Sequence, residues 1–120
     1  MKKSNELRSR IIEFTLSVIK MTRLLSKNSE NIIFTNQLLR AVSSIGANYS
    51  ECMFAHTKAE FIHIMSICRK ETNETLYWFE IIARSNPGFK KELDVLLDEG
   101  EQLLKIFVAS IKTARRNTEK

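Results

Sequence analysis

Apolar residues return every three or four positions along almost the whole chain, and this spacing admits little except long amphipathic helices. In the first segment Leu7, Ile11, Phe14, Val18, Met21 and Leu25 form such a stripe, widened by Ile12, Leu16 and Ile19. A second runs through Phe34, Leu38, Val42, Ile45, Tyr49 and Met53, and a third through Phe61, Ile64, Cys68, Leu76, Phe79 and Ala83. A fourth contains Phe89, Leu93, Leu96, Leu97, Leu104, Phe107, Val108 and Ile111. The punctuation between stripes is sparse. The chain has only 3 glycines and 1 proline in 120 residues, too few turn formers for an all-β fold.

The breaks fall where local chemistry favours them. Ser26-Lys27-Asn28-Ser29 is a polar run suited to a loop and a new N-cap. Thr57-Lys58-Ala59-Glu60 reads as a capping box, with the threonine at the N-cap and the glutamate three residues later. Ser85-Asn86-Pro87-Gly88 is the strongest break, because proline has no N–H to continue a helix. The predicted helices span about 5–26, 30–54, 58–85 and 88–114, followed by a fraying basic tail from Arg115. Short loops make successive helices antiparallel neighbours, so the expected fold is all-α: one up-down-up-down four-helix bundle over residues 1–120. Gly46 interrupts the second stripe at a cost of roughly 1 kcal/mol relative to alanine, which a close helix–helix approach would explain.

Charge placement says more than the net +5. Residues 1–27 hold seven basic and two acidic side chains, 28–86 balance to −1, 87–104 to −3 and 105–120 to +4. Up-down topology brings both termini and the turn between the second and third helices to one end. Lys2, Lys3, Arg8, Arg10, Lys58, Lys112, Arg115, Arg116 and Lys120 would gather there against Glu6, Glu51, Glu60 and Glu119. A positive pole of this kind favours polyanions. The expected phosphate contacts are Arg8, Arg10, Arg40, Lys112, Arg115 and Arg116.

Patterns for catalysis are absent. Glu60 and His63 have the Glu-x-x-His spacing of carboxylate-bridged metal bundles, but the second such motif and the remaining carboxylates are missing. No metal or cofactor is expected. Cys52 precedes His56 by one helical turn, yet both cysteines lie on apolar stripes, where a thiol behaves as a small hydrophobe. They form no framework of disulfides, which fits a reducing cytoplasm. Met1-Lys2-Lys3 begins like a signal peptide, but Glu13 and Lys20 interrupt the apolar stretch. A cytoplasmic protein without a membrane span is the expectation.

Polar residues also sit within the helices beside the stripes. Arg40, Ser44 and Asn48 share one face, and Arg69, Lys70, Glu71, Asn73 and Glu74 precede Tyr77-Trp78-Phe79. They either lie in solvent or knit the bundle or a subunit interface by charge-assisted hydrogen bonds. Three consecutive aromatics point one ring away from the core, a ready interface anchor. Asn48, Glu51, Glu74, Tyr77 and Trp78 are the interface candidates.

Two stretches carry a likeness to a known family. Gln37-Leu38-Leu39-Arg40-Ala41-Val42-Ser43-Ser44-Ile45-Gly46-Ala47-Asn48-Tyr49-Ser50-Glu51 has the spacing of its Q-L-R-R-A-x-S-I-x-x-N-x-x-E pattern, with Leu39 replacing one arginine and Cys52 standing where glycine is common. The stretch from Glu60-Phe61 through Arg69-Lys70-Glu71-Thr72-Asn73-Glu74-Thr75-Leu76-Tyr77-Trp78 is similar to the K-E-x-x-E-T-x-Y-W form found in part of the family. The chain resembles the bacterial four-helix-bundle proteins related to those encoded in 23S rRNA intervening sequences. That family includes the accessory variability determinant of diversity-generating retroelements. The resemblance covers all four helices and implies an up-down bundle assembled as a ring-like homopentamer. For the retroelement branch it further implies a basic assembly that binds nucleic acid and a reverse transcriptase. The expected role is therefore a non-enzymatic, homo-oligomeric accessory protein on RNA or DNA backbone. A protein-interaction scaffold with no nucleic-acid role is the alternative.

Overall fold

The computed structural model describes residues 2–119, with side chains from 5 to 117. Four helices follow one another: α1 (Lys2–Thr22), α2 (Ser29–Cys52), α3 (Lys58–Ser85) and α4 (Lys90–Glu119), with a single 3-10 turn at Pro87–Phe89. Each packs on its neighbours in chain order and α4 closes back on α1, while the diagonal pairs meet only through side chains that reach across the core. The result is an all-α, antiparallel up-down-up-down bundle of 52 × 23 × 21 Å.

The capping chemistry explains the helix starts. Asn28 takes an extended backbone and its side chain accepts from the Asn31 N–H, opening α2. Thr57 does the same for α3, accepting from the Glu60 N–H at 3.0 Å. Glu60 reaches back as a capping box requires, but to the N–H of His56 at 3.1 Å instead of that of Thr57.

The helix ends differ from expectation in two places. α1 stops at Thr22, where the threonine hydroxyl donates to the Ile19 carbonyl at 2.8 Å. Leu24 and Leu25 continue as tight turns, yet Leu25 still reaches the core, which is why the apolar stripe overran the helix. α4 runs to Glu119, so Arg115 and Arg116 ride on a helix and not on a frayed tail. Nothing between Lys112 and Asn117 breaks a helix, and cations in the last turn favour its negative end.

The core is the sum of the four stripes, with Phe79, Phe107, Leu38, Ile45, Ile82, Leu103 and Val18 almost fully buried. Phe14 meets Phe79 edge-on at 6.1 Å across the bundle. Thr72 and Thr75 are buried without penalty because their hydroxyls donate to the Cys68 and Glu71 carbonyls at 2.7 and 2.8 Å. Gly46 marks the close approach its tolerance called for: a Cβ there would stand 3.3 Å from Cγ2 of Ile11 on α1. Gly100 plays the same part on α4, where a Cβ would overlap Leu76 Cδ2 at 2.5 Å. Among the described residues no helix is long and apolar enough to cross a membrane.

Candidate nucleic-acid interface

Two of the six cations expected to face phosphate are already occupied. Arg10 on α1 forms a bidentate pair with Glu99 on α4, at 2.7 and 2.8 Å, and also donates to Gln102 at 2.7 Å. The hydrogen bond to Glu99, against some desolvation, raises the Arg10 pKa further. Arg40 on α2 donates to two carboxylates of α3, Glu71 at 3.0 Å and Glu74. These pairs tie helices together, and their charge is cancelled locally.

Arg8, Lys112, Arg115 and Arg116 remain exposed. Arg8 borders a shallow groove with Tyr49 and Ser50 near the end of α2. The last turns of α4 border another groove with the α2–α3 turn, shared by Met53, His56 and Lys58 with Ser110, Thr113 and Asn117. The Arg10–Glu99 register, at 1.5 Å per residue, sets Arg8 about 17 Å along the axis from Lys112 and about 21 Å from Arg115. The positive pole is thus a stripe and not a point. The side chains of Lys2, Lys3, Glu119 and Lys120, expected at the same end, lie outside those described.

The interface candidates divide in the same way. Asn48 spends its amide on Ser44 of its own helix, bonding the carbonyl at 2.9 Å and the hydroxyl at 3.0 Å. Glu74 belongs to the Arg40 pair, so this part of the polar face knits the bundle. Glu51 and Tyr77 point outward, and Phe79 is the core member of the aromatic triplet. Trp78 is half-buried between Phe34 and Tyr77, with ring centroids at 6.1 and 5.0 Å. Its indole N–H is buried without a partner of normal hydrogen-bond geometry, although it lies close enough to Glu74 to favour that carboxylate's charged form. Tyr77 borders a groove between α3 and α4 floored by Leu76, Phe79, Ala83, Leu93 and Leu97.

The hydrogen bond from Arg40 holds Glu74 below the usual carboxylate range. A lowered folded value means that this stabilisation is present above the ordinary carboxylate pKa and fades as pH falls through the folded one. Glu74→Gln is expected to flatten the acid limb of a stability–pH profile while leaving the limb above neutrality nearly parallel to wild type. Arg40→Met also strands the buried Glu71 carboxylate. We expect a loss of about 1–2 kcal/mol in urea unfolding, moderated because half of the guanidinium is in water, and partial recovery when Glu71→Gln is added.

The remaining chemistry is unreactive. Burial pushes the Cys52 thiol up to about 11 and the Cys68 thiol up to about 12, far from a thiolate at neutral pH. Glu60 is turned onto its cap, and no group of three potential metal-ligating side chains forms among the described residues.

Sequence reasoning overlooked one polar cluster at the opposite end. Asn31, only 2% exposed, exchanges two hydrogen bonds with Asn86 at 2.9 and 3.0 Å and donates to the Ser26 carbonyl at 2.9 Å. The pair ties the α1–α2 loop to the α3–α4 turn. Up-down topology already put both asparagines at one end, which was the available signal.

Comparison with known proteins agrees with this geometry. No curated protein matches the chain. A crystal structure of a protein of unknown function from the S23 ribosomal protein family of Bacteroides thetaiotaomicron superposes with a TM-score of 0.80 at 28% identity, over 88% of this chain and 97% of that one. The family model for the 23S rRNA-intervening sequence protein matches residues 3–109, well beyond the motifs at 37–78. Fold, motifs and match coincide: the chain belongs to the 23S rRNA-intervening sequence protein family.

Proposed function

We propose that this protein is a non-enzymatic, homo-oligomeric accessory protein that binds RNA or DNA backbone through Arg8, Lys112, Arg115 and Arg116. The observation that carries the reading is selective. Arg10 and Arg40 are held by carboxylates of neighbouring helices, whereas these four are exposed toward one end of the bundle with no ion pair among the described residues. Phosphate contact by such a stripe is electrostatic and carries little base information. Repetition around an assembly would add avidity without new contacts. By similarity to the family we take the assembly to be a ring-like pentamer, and a reverse transcriptase is a partner to test. The test is binding of nuclease-treated protein to structured RNA and duplex DNA across a salt series. Affinity that falls linearly in log–log against salt supports the reading, and absence of binding at low salt removes it.

The groove beside Tyr77 favours a second reading, a protein scaffold with no nucleic-acid role. Tyr77 is 55% exposed against an apolar floor, a site that copies or a partner enzyme could cover. Sedimentation is expected to give five times the 13.9 kDa chain mass, and Tyr77→Glu to lower it without unfolding the helices. A stable monomer in both proteins would remove the ring from the proposal. Co-purification of one dominant protein, resistant to nuclease, would favour the scaffold.

A further inference from the structure

Among the described residues Phe54 is the most exposed of the large apolar side chains, at 79%. It sits in the α2–α3 turn, where its N–H bonds the Glu51 carbonyl at 3.0 Å and its ring has no place in the core. Met53 beside it is also exposed. The same turn meets the last turns of α4, so the ring stands at the end that carries Lys58, Lys112, Arg115 and Arg116. Glu51 is the exposed acidic neighbour.

An exposed aromatic at the same end of a bundle as exposed cations has a specific use on nucleic acid. Cations hold phosphates, and an exposed ring offers a flat face for a base that is not already stacked between neighbours. A base pair inside a duplex presents no such face. We propose that Phe54 is a stacking site for an unpaired base, so that the protein prefers single-stranded or looped nucleic acid to uninterrupted duplex. The inference rests on the proposed nucleic-acid role and adds the class of substrate to it. Phosphate contacts alone would bind both forms.

The experiment measures wild type, Phe54→Ala, Phe54→Leu and Phe54→Trp against an oligouridylate and a fully paired RNA duplex of equal length, at several salt concentrations. Wild type is expected to favour the oligouridylate. Phe54→Ala should weaken that binding about 5- to 150-fold, the usual worth of one stacked base, and leave the duplex unaffected. Its salt slope should stay that of wild type, because no phosphate contact is lost. Phe54→Trp should retain the preference and Phe54→Leu should lose it, which separates stacking from general apolar contact. The ring is largely in solvent, so unchanged thermal unfolding is expected for all three. Equal effects on both polymers, or none on either while charge reversal of the four cations still abolishes binding, would overturn the stacking site and leave the backbone-binding role standing. Failure of wild type to bind either polymer at low salt would overturn both.

Discussion

Arg8→Glu, Lys112→Glu, Arg115→Glu and Arg116→Glu together are expected to reduce nucleic-acid affinity by about a hundredfold or more near physiological salt. Neutralising about four phosphates gives a log–log slope near −3.6, so wild-type affinity should itself fall about a hundredfold between roughly 50 and 200 mM salt. The reversed protein should show a slope near zero, because the counterions it would release are no longer displaced. All four side chains are exposed and none has an ion pair among the described residues, so the fold should tolerate the change. Reversing Lys20, Arg23 and Lys27 at the opposite end alters net charge almost as much and provides the control. A stripe-specific site loses affinity only in the first variant. Equal losses in both would mean that diffuse charge, and no particular surface, attracts the polymer.

Periodicity made the bundle legible because each helix has to bury one face, and that constraint repeats every turn. Helix starts were legible where a short polar side chain caps them, as at Thr57 and Asn28. Helix ends were less so. Leu25 satisfies the apolar pattern from a turn, and pattern alone cannot distinguish that from a last helical residue. The candidate site was partly legible for a different reason. Topology places Arg8 and Arg115 at one end, but the pairing of Arg10 with Glu99 depends on the axial register of α1 against α4, 89 residues apart. Arg40 shows the same limit. Its spacing to Ser44 and Asn48 gives a shared face, whereas its carboxylate partners come from where α3 lies against α2. Exposure of Phe54 is likewise a property of the turn that holds it, since its neighbours along the chain include both buried and exposed apolar residues.

Phe79→Ala is expected to be the most disruptive single change to stability, at about 3–5 kcal/mol. The ring is 1% exposed and meets Phe14 edge-on, so its removal loses both the transfer energy and the aromatic contact. For a domain of this length such a loss lowers the melting temperature by about 12–20 °C. Tyr77→Ala, two residues away, puts the alternative to the test. Two positions along a helix turn a side chain through about 200°, so Tyr77 faces out where Phe79 faces in. In an isolated bundle that substitution should shift stability by no more than about 0.5 kcal/mol. If copies assemble over the α3–α4 groove, stability becomes coupled to protein concentration, and wild type should melt higher as it is concentrated. Tyr77→Ala should then remove the concentration dependence while matching wild type when dilute. Phe79→Ala should destabilise at every concentration, because its cavity lies within one chain. A Phe79→Ala loss below about 1 kcal/mol would mean that α3 is rotated from the face assigned to it here, and the outward position of Tyr77 would fall with it.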